Sequence, residues 1–475
     1  MVGPAGPPAT ISREPGQARK GAAAAVTLCA GVWLVGFTSI TTIYPIPIVI
    51  IALVSSAPAN VCVCRLPSWR YRACILVSSG LHIRKRFGRF LLRSIGLSVR
   101  ASWDIFCVVV DNYGDIGVTW RLARQLVAEH GQRVRLWVDD LDTFARLCPG
   151  TSATASQQWH EGVDVRHWSS DWPGAEPADV VIEAFACQLP AAYIEAMAES
   201  QRRILWLNLE YLSAEDWVVG CHALPSMQPD GLQKYFFFPG FEQGTGGLIR
   251  EGDLLARREA FQNDPTLREA FLQGFDLAVQ PGARLISLFA YENQAVAQWL
   301  DALAADARPT LLLVPEGRVL GNVARWLGLE QLQAGDRHVR GALQIAVLPF
   351  MTQNQYDMLL WCCDFNAVRG EESFIRAQWA GRPLVWHIYP QEDDAHWDKL
   401  NAFLDLYVHD LSPQATVALR EFWRAWNDGV DSGIAWNGLL THEAELRAHA
   451  DRWTHKQVAN GDLAGKLVFF YTDWL

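Results

Sequence analysis

WDIFCVVV at residues 103–110 is followed by DNYGDIG at 111–117 and VTWRLARQLVAEH at 118–130. The first run reads as a buried strand, the second as a polar turn with two glycines, and the third has apolar residues at helical spacing. Together they make one βα unit. Further strand patterns recur at 134–138, 163–168, 180–185 and 203–207. Strand and helix in alternation predict a parallel doubly wound sheet.

A second series follows the polar stretch 243–280: LISLF at 285–289, TLLLV at 310–314, LQIAVL at 343–348, DFNAV at 364–368 and PLVWHI at 383–388. The fold class is therefore α/β, with two Rossmann-like domains, 99–282 and 283–458, and no sequence repeat uniting them. Ligands of such sheets bind outside the carboxyl ends of the strands, so a cleft between the two carboxyl edges is the expected site. Two such halves suggest the GT-B architecture of nucleotide-sugar glycosyltransferases, although periodicity alone also allows other two-domain α/β enzymes. In that architecture a terminal helix crosses back to the first domain, and residues 459–475 can supply it.

The chain has 475 residues, half of them apolar, and a net charge of −10. Its size points to two compact domains, and its acidity argues against a protein that coats nucleic acid. The average hides a split. Residues 1–98 hold 11 Lys and Arg against one acid, Glu14, so this stretch carries +10 and the remainder −20. Within it, residues 26–54 are apolar enough for a transmembrane or signal-anchor segment, interrupted by Pro45 and Pro47 and followed by Arg84, Lys85, Arg86, Arg89 and Arg93. The competing reading is a mis-assigned upstream start, or a disordered extension. Orderly α/β patterning begins only at Ala101, no methionine occurs between residues 2 and 196, and Val99 could be encoded by an initiating valine codon. We adopt that second reading, which leaves no targeting segment, no membrane association and a cytoplasmic enzyme. Four of the ten cysteines fall in the extension and the others are scattered, with only Cys362 and Cys363 adjacent, a usage that fits a reducing compartment and no structural zinc site.

Two turns carry chemistry. The first, Asp111-Asn112-Tyr113-Gly114-Asp115-Ile116-Gly117, lacks the three-glycine dinucleotide fingerprint; its carboxylates suit a base better than a diphosphate cradle. The bland alternative is that Asp115 simply N-caps the following helix. The second, Arg369-Gly370-Glu371-Glu372-Ser373-Phe374, lies between a strand and a helix expected at 374–380. There a helix N-terminus, Ser373 and the Arg369 fork can bind an anion without a metal. Both acids cannot point at that anion, so at least one should face sugar, nucleoside or acceptor. A charged capping box accounts for Ser373 and the acids but not for Arg369. Aromatic residues at the strand ends, Phe289, Tyr291, Phe350 and Tyr356, offer stacking faces, and Gln353 offers the donor and acceptor pair that reads a pyrimidine edge; aromatics in such places also serve simply as core. The acidic run Asp139 to Asp142, and Gln391-Glu392-Asp393 with His396, are expected to be surface features with no site role.

WDIFCVVVDNYGDIGVTWRLARQL and PFMTQNQYDMLLWCCDFNAVRGEES closely resemble the bacterial EarP family, protein-arginine rhamnosyltransferases that modify elongation factor P, from residue 99 to 475. The resemblance implies a GT-B fold with an acceptor-side first domain and a nucleotide-sugar-binding second domain. It also implies dTDP-β-L-rhamnose as co-substrate, inversion at the anomeric carbon, and no cofactor or metal. It assigns Asp115 as general base, Asp111 and Glu371 as further catalytic acids, and Asn112, Tyr113, Gly114, Asp115, Phe289, Tyr291, Phe350, Gln353, Tyr356, Arg369, Gly370, Glu371, Glu372 and Ser373 as donor contacts. Glu372 stands where the family commonly has Asp, and Tyr356 where it commonly has Phe. The −20 body suits a partner presenting arginine on a basic loop. A GT-B enzyme with another donor or acceptor, or a non-catalytic nucleotide-sugar-binding module, are the alternatives; retention of Asp111, Asp115 and Glu371 speaks against the module.

Overall fold

The computed structural model describes residues 25–29 and 32–36 and, apart from 111, 112, 170, 171, 173, 392 and 393, residues 99–475. Ala25–Cys29 (β1) and Val32–Gly36 (β2) pair antiparallel in a unit ending at Leu97. The remainder of the 26–54 run and the basic stretch after it lie outside the described residues. A second unit runs from Ser98 to Leu475. Among the described residues no helix is long and apolar enough to cross a membrane.

The first sheet of the second unit contains β3 (Ser102–Cys107), β4 (Arg133–Val138), β5 (Gln157–His160), β6 (Val163–His167), β7 (Val180–Ala184), β8 (Leu205–Leu209), β9 (Pro225–Met227) and β10 (Gln233–Phe237) in the order β5-β6-β4-β3-β7-β8-β10-β9. All neighbours are parallel except the two edge strands, β5 and β9. β3 is buried on both faces: Trp103, Ile105 and Cys107 join the main core, while Phe106 joins a second cluster with Trp137, Trp168, Tyr193 and Trp206. Asp104 is fully buried within the strand, and accepts from Arg135, Tyr193 and Trp137, which offsets its desolvation.

β3 stops at Cys107, three residues short of the apolar run that predicts it. Its pairing with β4 ends at Cys107 and Val138. Beyond that point side-chain carboxylates take the backbone donors: Val109 N–H goes to Asp139 at 3.0 Å and Val110 N–H to Asp115 at 2.9 Å. β8 is displaced two residues from the predicted 203–207, because pairing with β7 begins at Leu205 and continues to Leu209.

The second sheet holds β11 (Arg284–Leu288), β12 (Thr310–Pro315), β13 (Arg337–Arg340), β14 (Leu343–Leu348), β15 (Phe365–Arg369) and β16 (Leu384–His387), ordered β13-β14-β12-β11-β15-β16 and parallel except at β13. In both sheets the first parallel strand lies inside the sheet and the winding reverses there, the doubly wound pattern. Two such sheets in one chain make the GT-B fold. The polar stretch between them is helical in part, over Leu254–Asn263 and Pro265–Gln273. The last helix, Leu463–Trp474, packs on the first sheet through Tyr471 against Trp103, and Asp462 at its N-cap accepts from Gln125 at 3.1 Å.

Candidate active site

The helix Gly114–Ala128 is buried nearly all round because it packs on two partners. Its apolar residues, Ile116, Trp120, Leu122, Ala123 and Leu126, belong to the core. Gly117, Arg121 and Gln125, spaced four apart and so on one face, lie against residues from later in the chain. At Gly117 a Cβ would stand 3.2 Å from Glu372 Cγ and 3.3 Å from Gln353 Nε2, so glycine permits the approach. Arg121, 1% exposed, binds Glu372 at 2.6 Å, Glu251 at 3.0 Å and Asp357 at 3.2 Å. From the other side Arg376 binds Asp357 at 2.6 Å and Glu251 at 2.7 Å. Two guanidiniums and three carboxylates thus close a buried ionic network joining the two halves.

The chemistry-bearing loops all leave carboxyl ends of strands. After β3, Tyr113 occupies the N-cap position and makes no side-chain cap bond; Asp115 lies inside the first turn, so it is not the helix cap. Its carboxylate is 3% exposed and accepts from Val110 N–H, folding the loop back on itself. Asp111 and Asn112 lie outside the described residues.

After β15, Gly370 takes a left-handed φ of 56°, which turns Glu371 toward the first half. Glu371 accepts from Leu212 N–H at 2.8 Å and from Lys399, on the helix Ala395–Tyr407, at 2.8 Å. Burial pushes its carboxyl above the ordinary carboxylate range, against the pull of Lys399 and the Leu212 N–H, and the nearby charge of Asp115 pushes the same way. Glu371 and Asp115 are therefore neighbouring acids from opposite halves. Glu372 instead turns to Arg121, so neither acid of this motif lies open to repel an anion. The capping box weighed for this motif is not formed: Glu371 is the N-cap without a cap bond, and Ser373 Oγ accepts from Arg369 N–H at 3.1 Å and donates to Arg369 C=O. The capping box of this region is one helix earlier, between Thr352 and Gln355.

Arg369 is 7% exposed, its guanidinium carbon 4.7 Å from the Phe289 ring and 4.6 Å from the Tyr291 ring, and its buried Nη1 has no hydrogen-bond partner. Beside it in register on β16 stands His387, 6% exposed, with Nδ1 also unpartnered. Burial and then the Arg369 charge lower the His387 imidazole to about 4, so it is neutral at pH 7. Tyr291 packs edge-on to His387 at 5.4 Å, and Phe289 packs on the buried Tyr356. Tyr113 meets Phe350 at 4.8 Å across the seam, with Arg146 over both rings. Gln353 gives Nε2 to the Gly117 carbonyl at 2.9 Å and takes a hydrogen bond from Arg124 at 3.0 Å. Its amide therefore ties the halves together in this structure, and reading a base would require exchanging those contacts.

The acidic run at 139–142 has structural work, since Asp140 caps the helix Leu141–Leu147. Among the described residues no group of three or more His, Cys, Asp or Glu could hold a metal ion. Sequence reasoning missed Lys399, His387, Arg146 and the partners of Arg121. The four-residue spacing of Gly117, Arg121 and Gln125 was an available signal for the last; Lys399 had none.

The family profile described as Elongation-Factor P (EF-P) rhamnosyltransferase EarP matches residues 103–472. The chain belongs to the EarP family. It is accordingly a glycosyltransferase. Protein-arginine rhamnosyltransferases of Pseudomonas putida and Shewanella oneidensis are 62% identical over 377 residues and 44% identical over 384 residues. Those alignments cover 79% and 78% of this chain and 100% and 97% of the relatives. A solved structure addressing EarP-mediated arginine glycosylation of translation elongation factor EF-P superimposes with a TM-score of 0.59 at 46% identity, covering 79% of this chain and 100% of that one.

Proposed function

We propose that this chain transfers L-rhamnose from dTDP-β-L-rhamnose to an arginine side chain of elongation factor P, with inversion, without a metal or other cofactor, and in the cytoplasm where an elongation factor acts. The observation that carries the reading is the pairing of two poles at one seam: a buried guanidinium with an unpartnered Nη1 at Arg369, and two neighbouring carboxylates, the buried Asp115 and the half-buried Glu371. The first suits a diphosphate and the second a guanidinium. We assign residues 99–282, with the terminal helix, to the acceptor side and 283–458 to the donor side.

An arginine guanidinium holds its proton to above pH 12 and has no free lone pair, so a carboxylate must bind it and polarise one nitrogen. Asp115 takes that proton as the nitrogen bonds to the anomeric carbon and the bond from that carbon to the dTDP oxygen breaks. The departing charge falls on Arg369 and the N–H groups opening the helix Glu372–Trp379. Attack opposite the leaving group turns a β-linked donor into an α-linked rhamnosyl-arginine. Asp111, Asn112, Tyr113, Gly114 and Glu371 complete the reacting pocket; Phe289, Tyr291, Phe350, Gln353 and Tyr356 hold the nucleoside, and Gly370, Glu372 and Ser373 shape the phosphate loop.

Incubation with dTDP-rhamnose and elongation factor P, followed by intact mass and fragmentation, is expected to show one deoxyhexose on one arginine; an unmodified acceptor would exclude the assignment. Arg369→Met is expected to weaken dTDP binding by about 1.5–3 kcal/mol, the range for a charge-assisted hydrogen bond. Calorimetry giving wild-type affinity would remove Arg369 from the phosphate site.

A further inference from the structure

We propose that Phe185 and Tyr211 form an aromatic platform on which the acceptor's arginine guanidinium lies while Glu371 binds its edge. The inference rests on the arginine-acceptor reading above and names the surface that recognises the side chain. Phe185 and Tyr211 follow β7 and β8 on the acceptor side, their rings stacked with centroids 4.7 Å apart and planes at 21°. Tyr211 is 39% exposed and stands beside the half-buried Glu371 carboxylate. The next residue, Leu212, gives its N–H to Glu371 Oε2, so ring and carboxylate are fixed to consecutive points of one backbone.

The structure already holds a cation there. Lys399 Nζ is 2.8 Å from Glu371 Oε1 and 5.7 Å from the centroid of the Tyr211 ring. A carboxylate on one side and an aromatic face on the other are the two elements that bind a guanidinium. An ammonium is a compact point charge, whereas a guanidinium is flat and can stack on the ring while presenting paired N–H groups to Glu371. The incoming arginine therefore replaces the Lys399 contact with a better-matched one, and the platform favours arginine over lysine as acceptor.

The backbone beneath the platform supports this placement. Phe185 and Ala186 both have left-handed φ, 58° and 56°, uncommon for residues with a Cβ and here consecutive. They are held by Phe185 N–H to Leu209 C=O at 2.7 Å and by Ala186 N–H to the buried Asn208 side chain at 3.2 Å. That turn is what directs the Phe185 ring under Tyr211 instead of along the strand.

The test compares Tyr211→Leu with Tyr211→Phe under saturating dTDP-rhamnose. Tyr211→Leu should lower kcat/KM for elongation factor P about tenfold, mainly through KM. Tyr211→Phe should stay within about twofold, and dTDP affinity should not change in either. Should Tyr211→Leu fail to fold, the wild-type protein supplies the second reading. Arginine Cδ protons of ¹³C-labelled elongation factor P should shift upfield in the complex through the ring current. Wild-type kcat/KM in Tyr211→Leu, equal losses in both variants, or an unshifted arginine would overturn the platform while leaving the arginine reading intact. A wild-type protein that leaves elongation factor P unmodified would overturn the arginine reading and the platform with it.

Discussion

Asp115→Asn is expected to lower single-turnover rhamnosylation at least about 10²-fold, the lower range for loss of a general base, with dTDP affinity nearly unchanged. The substitution keeps size and an oxygen able to accept from Val110 N–H, the 2.9 Å contact that folds the loop. It removes the charge that holds a guanidinium and receives its proton. Fold stability should change little: Tyr113, not Asp115, is at the N-cap, and loss of a favourable first-turn charge is offset by relief of repulsion with Glu371. The change has a second signature. Asp115 helps raise the Glu371 carboxyl, so in Asp115→Asn the Glu371 titration should move down toward the ordinary value. A thermal melt beside the rate measurement separates the cases. A well-folded, donor-binding Asn variant with near-normal rate would shift the role to Asp111 or Glu371.

The alternation of strands and helices was legible because parallel strands buried on both faces are continuously apolar, and LQIAVL at 343–348 coincides with β14. The antiparallel edges β5, β9 and β13 were not, because half-exposed three- and four-residue strands such as QQWH and RHVR carry no apolar run. Strand ends were misread where side chains replace the ladder, as Asp139 and Asp115 do beyond Cys107. Site residues whose chemistry is local, such as Arg369 beside a helix start, could be found from one motif. Lys399 could not: it matters only because it meets Glu371, 28 positions earlier, after the helix Glu372–Trp379 and β16 have intervened. The pairing of Glu372 with Arg121, 251 positions away, was half-legible: the four-residue spacing of Gly117, Arg121 and Gln125 marks a contact face but does not say what covers it.

Asp357→Ala is expected to destabilise the protein by about 3–5 kcal/mol, the range for breaking a buried ion pair by removing one partner. Asp357 is 1% exposed and takes hydrogen bonds from Arg121 at 3.2 and 3.3 Å and from Arg376 at 2.8 and 2.6 Å. Without it the two buried guanidiniums share Glu251, while Arg121 keeps Glu372 and the Gln353 carbonyl. An exposed pair gives the contrast: Asp405→Ala, which breaks the contact with Arg420, should cost no more than about 1 kcal/mol. The network also has a pH signature. Burial would raise the Glu251 carboxyl, but Arg376 and Arg121 outweigh it and hold the group well below the ordinary range. A depressed carboxyl contributes stability that is complete above its unfolded value, about 4.5, and lost as pH falls below it. Wild-type stability should therefore decline with acid from that point. Because Arg121 also grips Glu372, next to the Glu371 carboxylate, the Asp357→Ala protein should lose turnover as well as stability. Urea denaturation of both variants at pH 7, with a wild-type series down to pH 3, measures these terms. Equal stabilities of Asp357→Ala and wild type would mean that water takes up the released charges and that the network does not hold the two halves together.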